Sequence, residues 1–482
     1  MDPDHQGGGR HRHPMTAPST RRERDAFGEI AIPADRYWGA QTQRALDVFA
    51  IGEERFPVSL IRTFGLQKRA AARANRRLGG LPDRLANAVE AAADEVRQGR
   101  FDAHFPLPVW QTGSGTQTNM NANEVIANRA NEILGQPLGT RDPVHPNDHV
   151  NRSQSSNDSF PTVMQIVTAT ELRDRLEPAA ATLQAALAAK AGQFRDVIKI
   201  GRTHLMDALP MTLGQGFDTF ARQIAAGRDR IGDAMPRLLQ LPQGGTAIGT
   251  GLNAEAGFDR LVCDEIAAAS GLAFRPAESK FEGMGAHDVL VEVSGHLNTL
   301  AVSLLKIAND LRWMGSGPRA GLGELIFPDD GLTSSIMPGK RNPTIAEALV
   351  QVAFQVIGHH AAITAAGASG SFELNVAKPV LIHNLLGSIR LLGDGMEVFA
   401  ARFVAGLEAD TERLAANVES SLLLATALNP ILGYDKVVDI TRKAMADGTT
   451  PRMAAIALSL LTADEYDRHV DPRRMLGQTR DD

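Results

Sequence analysis

One apolar stripe, between residues 286 and 315, constrains the fold of this chain more than any other feature. Its hydrophobic residues recur at alternating spacings of three and four: Leu290, Val293, Leu297, Leu300, Leu304, Ile307 and Leu311. That period predicts a single long amphipathic helix, roughly 40 Å long at about 1.5 Å per residue. A small domain cannot cover such a rod, so the stripe needs equally long neighbours, from this chain or from other subunits.

Three further segments carry long helical patterns, at residues 161–194, 213–240 and 342–366, and Pro178 is expected to bend the first. The breaks between the patterns are rich in Gly and Pro, as in QTGSGTQ, GRTHLMDALP and MPGKRNP. Aromatic residues make up only 5% of the 482 residues, which favours helix-on-helix packing over an aromatic, β-branched sheet. The sequence therefore predicts an all-α protein, a long central bundle with its chemistry in the surrounding loops.

Composition argues against several classes of protein. The net charge is −6 and basic residues are scattered among acidic ones, so no nucleic-acid partner is expected. The single cysteine, Cys263, cannot form an internal disulfide and lies in an apolar stretch, which fits a core residue in a reducing, cytoplasmic compartment. We expect no membrane span, because no run of about eighteen apolar residues occurs. Residues 1–20, polar and rich in Gly and Pro, are predicted to form a disordered tail.

The most informative polar segment is GLTSSIMPGKRNPTIAE, at residues 331–347. Pro343 suits the first position of a helix, which makes Asn342 the expected N-cap. With Lys340 as a compact positive charge, this segment would form a carboxylate pocket at the positive end of a helix. Taken alone, the segment fits a solvent-exposed capped loop about equally well.

Two other turns carry small polar residues. TGSGTQTNM, at residues 112–120, runs from glycines into a helical pattern, and its backbone N–H groups, with Ser114 and Thr116, could hold an anion without a basic side chain. The segment lacks the Gly-Lys-Ser/Thr ending of a P-loop, and Gly/Ser turns are common. Thr203 and His204 lie in the turn GRTHLMDALP, where a single histidine is more often structural than catalytic.

Residues 145–160, HPNDHVNRSQSSNDSF, are too polar to belong to a core. A capped turn and a metal site are the alternatives to a binding site. His145, Asp148 and His149 could ligate a metal, but no second cluster at metal-ligand spacing supports this. We therefore predict no metal site.

Together and in this order, the four segments resemble the fumarase/aspartase superfamily. SSIMPGKRNP, at residues 334–343, is very similar to the hallmark loop of that superfamily, and the likeness runs from about residue 25 to about residue 477. It includes FGEIAIPADRYWGAQTQRAL, LPQGGTAIGTGLN, SGPRAGLGE, FELNVAKP and LNPILGYDK. Within the superfamily the chain is most similar to class II fumarases, because His204 and Gly339 stand where aspartases typically carry Gln and Ala.

The resemblance implies a homotetramer whose long helices form a central bundle, with each active site shared by three subunits. The expected division is a tail (1–20), an N-terminal lyase domain (21–155), the bundle domain (156–410) and a small C-terminal helical domain (411–482). The implied reaction is the reversible, stereospecific hydration of fumarate to L-malate, a step of the tricarboxylic acid cycle, through a carbanion (aci-carboxylate) intermediate and without a cofactor. Aspartate ammonia-lyase, or another lyase of the superfamily, is the enzymatic alternative. A second alternative is a non-catalytic structural protein, like the lens crystallins of this superfamily.

The resemblance also implies roles for individual residues. Ser334 would be the base that removes the proton next to a carboxylate, and His204, oriented by Glu347, would act through a water on the departing or attacking oxygen. The residues that would contact substrate are Ser114, Gly115, Thr116, Ser155, Ser156, Asn157, Thr203, Ser335, Lys340, Arg341 and Asn342. A second dicarboxylate site would comprise His145, Pro146, Asn147 and Asp148.

The chain departs from the family pattern at a few positions. Thr333 replaces a usual Gly, and Arg341 replaces a usual Val. In an extended loop alternate side chains face opposite sides, so Arg341 is expected to point away from the substrate. Either Arg141 or Asp142 stands where the family often has a basic residue for the second site.

A serine needs help to act as a base, because its hydroxyl has a high pKa. For Ser334 the candidates from sequence are the Lys340 cation and the backbone donors of the Gly339 turn. Lys340 and Asn342 would also stabilise the negative charge that spreads into the substrate carboxylate.

Overall fold

The computed structural model describes residues 19–332 and 334–476. The helices in this part of the chain are α1 (Ala40–Val48), α2 (Val58–Arg77), α3 (Asp83–Arg97), α4 (Thr116–Ile133), α5 (Ser156–Glu171), α6 (Glu177–Gln193), α7 (Leu213–Leu238), α8 (Phe258–Ser270), α9 (Lys280–Gly285), α10 (Asp288–Met314), α11 (Thr344–Gly367), α12 (Lys378–Phe399), α13 (Thr411–Ser420), α14 (Asn429–Leu432), α15 (Tyr434–Asp447), α16 (Pro451–Ala457) and α17 (Ala463–His469).

The strands are short and occur in pairs. The antiparallel pairs are β1 (Thr20–Asp25) with β2 (Gly28–Pro33), β3 (Ile198–Thr203) with β4 (Met206–Thr212), and β7 (Leu325–Ile326) with β8 (Glu408–Ala409); β5 (Gln240–Leu241) and β6 (Arg275–Pro276) pair in parallel. The prediction of a mainly helical protein is confirmed. The segment that contains Thr203 and His204 is nevertheless a β-hairpin, whereas its sequence suggested only a turn between helices.

The predicted central helix is present as α10. All seven residues of the apolar stripe are 0% exposed, and α10 packs against α7, where Gly227 lies beneath the side chain of Leu300. The apolar stripe is therefore buried by residues of this chain. Contact with other subunits would have to involve a different surface.

The predicted helix at residues 161–194 is interrupted before Pro178 rather than at it. A π-helical turn, Leu172–Leu176, separates α5 from α6, and Pro178 lies in the first turn of α6. A proline lacks the N–H that would bond the carbonyl four residues earlier, so the disturbance falls one turn upstream.

One compact unit comprises residues 19–167, 239–287 and 366–383. In it, α2 packs on α3 and α8, and α4 packs on α1 and α3. Cys263 of α8 is fully buried, and burial raises the pKa of its thiol to about 12. The expectation that this cysteine is a core residue is confirmed.

The other compact unit comprises residues 168–238, 288–365 and 384–476, apart from Thr333. Here α7 lies between α6 and α10. The C-terminal helices enclose a separate cluster that includes Leu428, Ile440 and Tyr466, and Ile200 of β3 belongs to the same cluster. The β3–β4 hairpin is therefore built onto the C-terminal helices.

Helix α11 differs from the other long helices because much of its apolar surface is exposed. Among the described residues it is the one helix long and apolar enough to cross a membrane, although only 28% of its most apolar window is buried. Core helices of water-soluble proteins meet the same criterion, so this is a weak argument against the expectation of no membrane span. Hydrogen bonds between His360 and Ser294 (2.9 Å) and between His359 and Ser388 (3.0 Å) connect α11 to α10 and α12.

Two sequence predictions fall wholly or partly outside the described residues. Most of the expected tail, residues 1–18, and the unusual Thr333 cannot be placed, while Thr20 already belongs to β1. The domain boundaries expected after residues 155 and 410 stay a prediction, since contacts in a folded chain do not test which segments fold independently.

Candidate active site

In the first unit, the loop before α4 is shaped by two glycines. Gly115 has a φ of +74°, and a Cβ there would lie 2.2 Å from the ring of Phe160. A Cβ on Gly113 would lie 1.3 Å from the carbonyl oxygen of Val376. Only glycines allow this close approach. The loop ends in paired hydroxyls, with Ser114 Oγ 2.7 Å from Thr116 Oγ1.

The second loop of this unit precedes α5 and is held by Asp158. This carboxylate is fully buried and accepts hydrogen bonds from the backbone N–H groups of Ser155 (2.9 Å), Gly244 (2.9 Å) and Thr246 (3.0 Å). Burial raises the pKa of Asp158 to about 6, against the opposing effect of these donors and of Lys68. Asp158 therefore joins the loop of the predicted substrate residues to the glycine-rich loop of LPQGGTAIGTG.

Three predicted substrate residues lie in that loop. Ser156 is buried, and its hydroxyl accepts a hydrogen bond from Asn119 of α4 (3.0 Å), which brings the starts of α4 and α5 together. The hydroxyl of Ser155 accepts from the backbone N–H of Asn157 (3.2 Å), whose side chain donates to the Ala247 carbonyl (2.8 Å). Ser156 has an internal partner, whereas Ser155 and Asn157 are partly exposed.

A buried lysine forms hydrogen bonds to the loop that precedes α5. Lys68 of α2 is 0% exposed and donates to Asn151 (3.0 Å) and Gln154 (2.9 Å). Burial lowers the pKa of Lys68 to about 7. This residue was not predicted from the sequence, although a lysine four positions after Phe64, on the buried face of an amphipathic helix, is an available signal.

The FELNVAKP motif supports the glycine loop. The backbone N–H of Lys378 donates to the Gly113 carbonyl (3.0 Å), and its fully buried ammonium donates to the carbonyl of Asn375. Burial lowers the pKa of Lys378 to about 7, and burial together with this lysine lowers the pKa of His287 to about 3. FELNVAKP is one of the motifs on which the family resemblance rests, and in the structure it holds the glycine loop in position.

The residues of the predicted second dicarboxylate site form a π-helical turn, Pro146–Val150. His145 precedes it, and its Nδ1 accepts from the backbone N–H groups of Asn147 and Asp148, both at 3.2 Å. Asn147 and Asp148 are exposed, whereas Pro146 is buried and shapes the turn from inside. Burial, followed by the nearby positive charge of Arg141, lowers the pKa of His145. Arg141 thus lies within electrostatic reach of the second site.

In the second unit, His204 lies at the tip of the β3–β4 hairpin. Thr203 pairs with Met206, which leaves His204 and Leu205 as a two-residue turn with φ values of 54° and 63°. Such a type I′ turn strongly favours Asn-Gly, and a non-glycine residue in this region costs about 1–3 kcal/mol. The imidazole and the Thr203 side chain are exposed. The chain therefore accepts strain to present His204 to solvent.

The signature loop in the same unit contains a tight turn. Lys340 N–H donates to the Met337 carbonyl (3.2 Å), and Gly339 has a φ of +80°, as in a type II turn with proline at its second position. Ser334 Oγ accepts from the backbone N–H groups of Met337 (3.2 Å) and, at the limit of hydrogen-bond length, Ile336 (3.5 Å). Backbone donors thus reach the serine oxygen.

The polar residues after this turn have partners within the chain. Lys340 Nζ donates to Asn342 Oδ1 (2.8 Å), and Arg341 forms an exposed ion pair with Asp329 (3.1 Å). The prediction that Asn342 caps α11 is wrong, because the helix begins at Thr344 and Pro343 supplies the first carbonyl acceptor. The amide oxygen of Asn342 is used by Lys340 instead.

Glu347, expected to orient His204, pairs with Arg312 at 3.6 Å. Among the described residues of the second unit, no hydrogen bond or ion pair joins Glu347 to His204. Within one chain, then, Ser114–Thr116 and Ser155–Asn157 come together, as do the residues of the signature loop. The His204–Glu347 pair does not form. No group of three or more potential metal ligands occurs in the described part of the chain.

Comparison with known proteins places the chain in a family. Residues 28–358 match the family model described as Lyase, and residues 424–477 match the one described as Fumarase C C-terminus. The chain is 54% identical to the mitochondrial fumarate hydratase of Danio rerio over 95% of this chain and 90% of that protein. It is also 54% identical to the class II fumarate hydratase of Caulobacter vibrioides, over 96% and 99% of the two chains.

Solved structures agree with the sequence comparisons. The class II fumarase of Schistosoma mansoni matches with a TM-score of 0.93 at 39% identity, over 95% of this chain and 99% of that one. The fumarate lyase:delta crystallin of Brucella melitensis bound to cobalt matches with a TM-score of 0.92 at 42% identity, over 95% and 100%. The residues that match the Lyase family model, 28–358, include the hairpin and the signature loop. The chain belongs to the class II fumarase family of lyases.

Proposed function

We propose that the chain is a fumarate hydratase, which catalyses the reversible, stereospecific hydration of fumarate to L-malate in the tricarboxylic acid cycle. The observation that carries the proposal is the imidazole at the hairpin tip. His204 and Leu205 both adopt strained non-glycine conformations in the turn that exposes His204, and His204 is one of the residues that separate fumarases from aspartases in the family resemblance. A carbon–oxygen lyase needs an acid at this position to protonate the departing hydroxyl.

We assign Ser334 as the base that takes the proton from malate C3. The electron pair left on that carbon spreads into the neighbouring carboxylate, which gives the aci-carboxylate intermediate. The backbone donors at Ser334 Oγ support this role, since they stabilise negative charge on the serine oxygen. Lys340 bonds Asn342 rather than Ser334, so we infer that the backbone turn, and not the lysine, activates the serine. Lys340 and Asn342 are then available to the substrate carboxylate.

The second step is the loss of the C2 hydroxyl as water. His204 donates a proton through a water molecule, and Glu347 stabilises the imidazolium. In the direction of hydration, the same groups act in reverse. The proposed substrate contacts are Ser114, Gly115, Thr116, Ser155, Ser156, Asn157, Thr203, Ser335, Lys340 and Asn342. Arg341 adjoins them, but it pairs with Asp329 and we expect it to point away from the substrate. The second dicarboxylate site, His145 to Asp148, would draw on Arg141.

We also propose a homotetramer in which three subunits build each site. Two observations support it: Glu347 and His204 do not meet in one chain, and α11 exposes Phe354 and Ile357 on an apolar helix. An exposed apolar face of this length is typical of a subunit interface. The variant Phe354→Arg should lower the mass in light scattering and abolish activity, whereas Phe27→Arg, at another exposed phenylalanine, should do neither. A tetrameric, active Phe354→Arg would contradict this assignment.

The decisive assay compares L-malate and L-aspartate as substrates, with the ultraviolet absorbance of fumarate as the readout. We expect turnover of malate alone. Release of fumarate from aspartate would identify an ammonia-lyase, and turnover of neither would favour a structural protein. His204→Asn should lower kcat roughly 100-fold or more. Ser334→Ala should abolish deuterium exchange at malate C3, and normal exchange would identify another base.

The proposed compartment is the cytoplasm, as the sequence predicts. Eukaryotic relatives of this chain are named as mitochondrial, whereas the Caulobacter vibrioides relative is named only as class II. Fractionation of the source cells, with activity followed in each fraction, tests this part of the proposal.

A further inference from the structure

A buried carboxylate, Glu324, lies at the end of the SGPRAGLGE motif and has no role in the reaction described above. Its side chain is 0% exposed, and its two oxygens lie 2.9 Å from Lys199 Nζ and 2.7 Å from Arg202 NH1. These contacts are close ion pairs, without the alignment of good hydrogen bonds. The backbone of Glu324 is also fixed, since its N–H donates to Met314 (2.7 Å) and its carbonyl accepts from Asp410 (3.1 Å).

Both cations belong to β3, the strand that leads into Thr203 and His204. Lys199 and Arg202 are three positions apart, and in a regular strand residues at an odd separation face opposite sides. The pairing of β3 with β4 shifts between Ile200 and Arg202. Only Gly201 separates Ile200 from Arg202 on β3, whereas Ala208 and Leu209 separate their partners on β4, so the extra residue of this bulge lies in β4. The long side chains of Lys199 and Arg202 nevertheless reach the same carboxylate, one from each side of the irregularity.

Glu324 therefore anchors β3 at two positions, of which Arg202 directly precedes Thr203 and His204. Movement of Arg202 away from Glu324 would move this turn as well. Conversely, loss of the carboxylate would leave two poorly hydrated cations side by side, because Asp207, the other acid near Arg202, is 3.8 Å away and largely exposed. Repulsion between Lys199 and Arg202 would then displace this end of β3, and with it the hairpin tip.

We propose that Glu324 is a positioning residue for His204: through Lys199 and Arg202 it fixes the end of β3 and so the direction in which the hairpin tip presents the imidazole. This inference rests on the proposed function, because it requires His204 to act on the departing or attacking oxygen. The residues assigned to the substrate carboxylates lie mainly on other loops. Misplacement of His204 therefore slows the chemical step more than it weakens binding.

The test uses the complete enzyme and three variants: Glu324→Gln, Glu324→Asp and a matched control, Glu265→Gln. Glu265 of α8 is also a carboxylate held by two cations, Arg73 (2.9 Å) and Arg77 (3.3 Å), but none of these three residues is assigned to the site. The kcat and KM for malate are measured with the melting temperature and the oligomeric mass. If Glu324→Gln does not fold, Glu324→Asp, which keeps the charge but withdraws it by one methylene, carries the test.

In Glu324→Gln or Glu324→Asp, kcat should fall by about 10- to 100-fold, as expected for a catalytic group displaced by about 1 Å, while KM changes by less than about threefold. Glu265→Gln should lower the melting temperature and leave kcat unchanged. A folded Glu324 variant with wild-type kcat would overturn the inference, and so would a rise in KM with kcat intact. His204→Asn is measured in parallel, because the inference about Glu324 requires His204 to act in catalysis. If His204→Asn keeps full activity, the proposed role of His204 is wrong, whatever the Glu324 variants show.

Discussion

Replacement of Gly113 by alanine tests whether the glycine loop must lie where the structure places it. Gly113 is not one of the residues assigned to substrate, and the perturbation is a single methyl group. That methyl would lie 1.3 Å from the Val376 carbonyl oxygen and 2.0 Å from its carbonyl carbon. Carbon atoms in contact prefer about 3.5–4.0 Å, so the two backbone segments must separate by roughly 2 Å.

The displaced loop carries Ser114 and Thr116, so the expected loss concerns binding of the substrate carboxylate. Misplacement of a positioning group by about 1 Å can cost ~100-fold, and kcat/KM for malate should therefore fall by at least that factor. The lost hydrogen bond from Lys378 to the Gly113 carbonyl and the strain of overpacking should together lower the free energy of unfolding by about 1–3 kcal/mol. Initial rates with malate and chemical denaturation measure the two effects.

Gly192→Ala is the matched control. Gly192 lies near the end of α6, where an added Cβ meets nothing within 4 Å. Alanine should stabilise the helix by about 0.4–1 kcal/mol and leave kcat/KM unchanged. If Gly113→Ala kept wild-type kcat/KM, the close approach of the two backbones would not be needed for function, and the steric reasoning would be refuted.

Three further predictions concern other parts of the chain. Asp158→Asn replaces a carboxylate that accepts three backbone N–H bonds, so the free energy of unfolding should drop by about 1–3 kcal/mol in urea denaturation. The KM for malate should rise because the Ser155 loop is released, and an unchanged KM would show that this loop does not contribute to substrate binding. The lowered pKa of His145 means that the unfolded chain binds the proton more readily between that pKa and about 6.5, so stability should fall as pH drops through this window. The protection of the amides in the 146–150 turn, relative to their intrinsic exchange rates, should therefore fall on acidification, and His145→Gln should remove that pH dependence. Arg341→Val breaks only an exposed ion pair with Asp329, so stability should change by less than about 1 kcal/mol, and an unchanged KM for malate would confirm that Arg341 points away from substrate.

The sequence predicts the long helices well because their signal is local and repeated. The α10 stripe places seven leucine, valine and isoleucine residues on one face, and all seven are buried. By contrast, helix ends depend on one or two contacts, which is why the predictions for the start of α11 and for the cap role of Asn342 are wrong. The Lys340 ammonium competes for the Asn342 amide, and nothing in the spacing reveals that competition.

The β3–β4 hairpin could not be predicted from local preferences. A turn through His204 and Leu205 contradicts the usual choice of Asn-Gly, and its stability comes from tertiary contacts, including the burial of Ile200 among the C-terminal helices. The buried charges escape prediction for a related reason. Lys68 looks like an ordinary charged residue of a helix, and its partners, Asn151 and Gln154, lie more than eighty positions along the chain.

The hairpin and the buried charges have a common physical cause, which explains how loops without regular structure can hold a catalytic geometry. Backbone ladders do not extend into the segments around Gly113 and Ser155, and the ladder that leads to His204 is irregular close to the turn. Each is fixed instead by a charged group that is buried nearby: Lys378, Asp158 and Glu324, respectively. Burial of a charge is expensive unless its partners are well placed, so any movement of the loop that separates the partners carries a large penalty. The groups that hold these loops in place are thus the same buried charges that a protein optimised for stability alone would avoid.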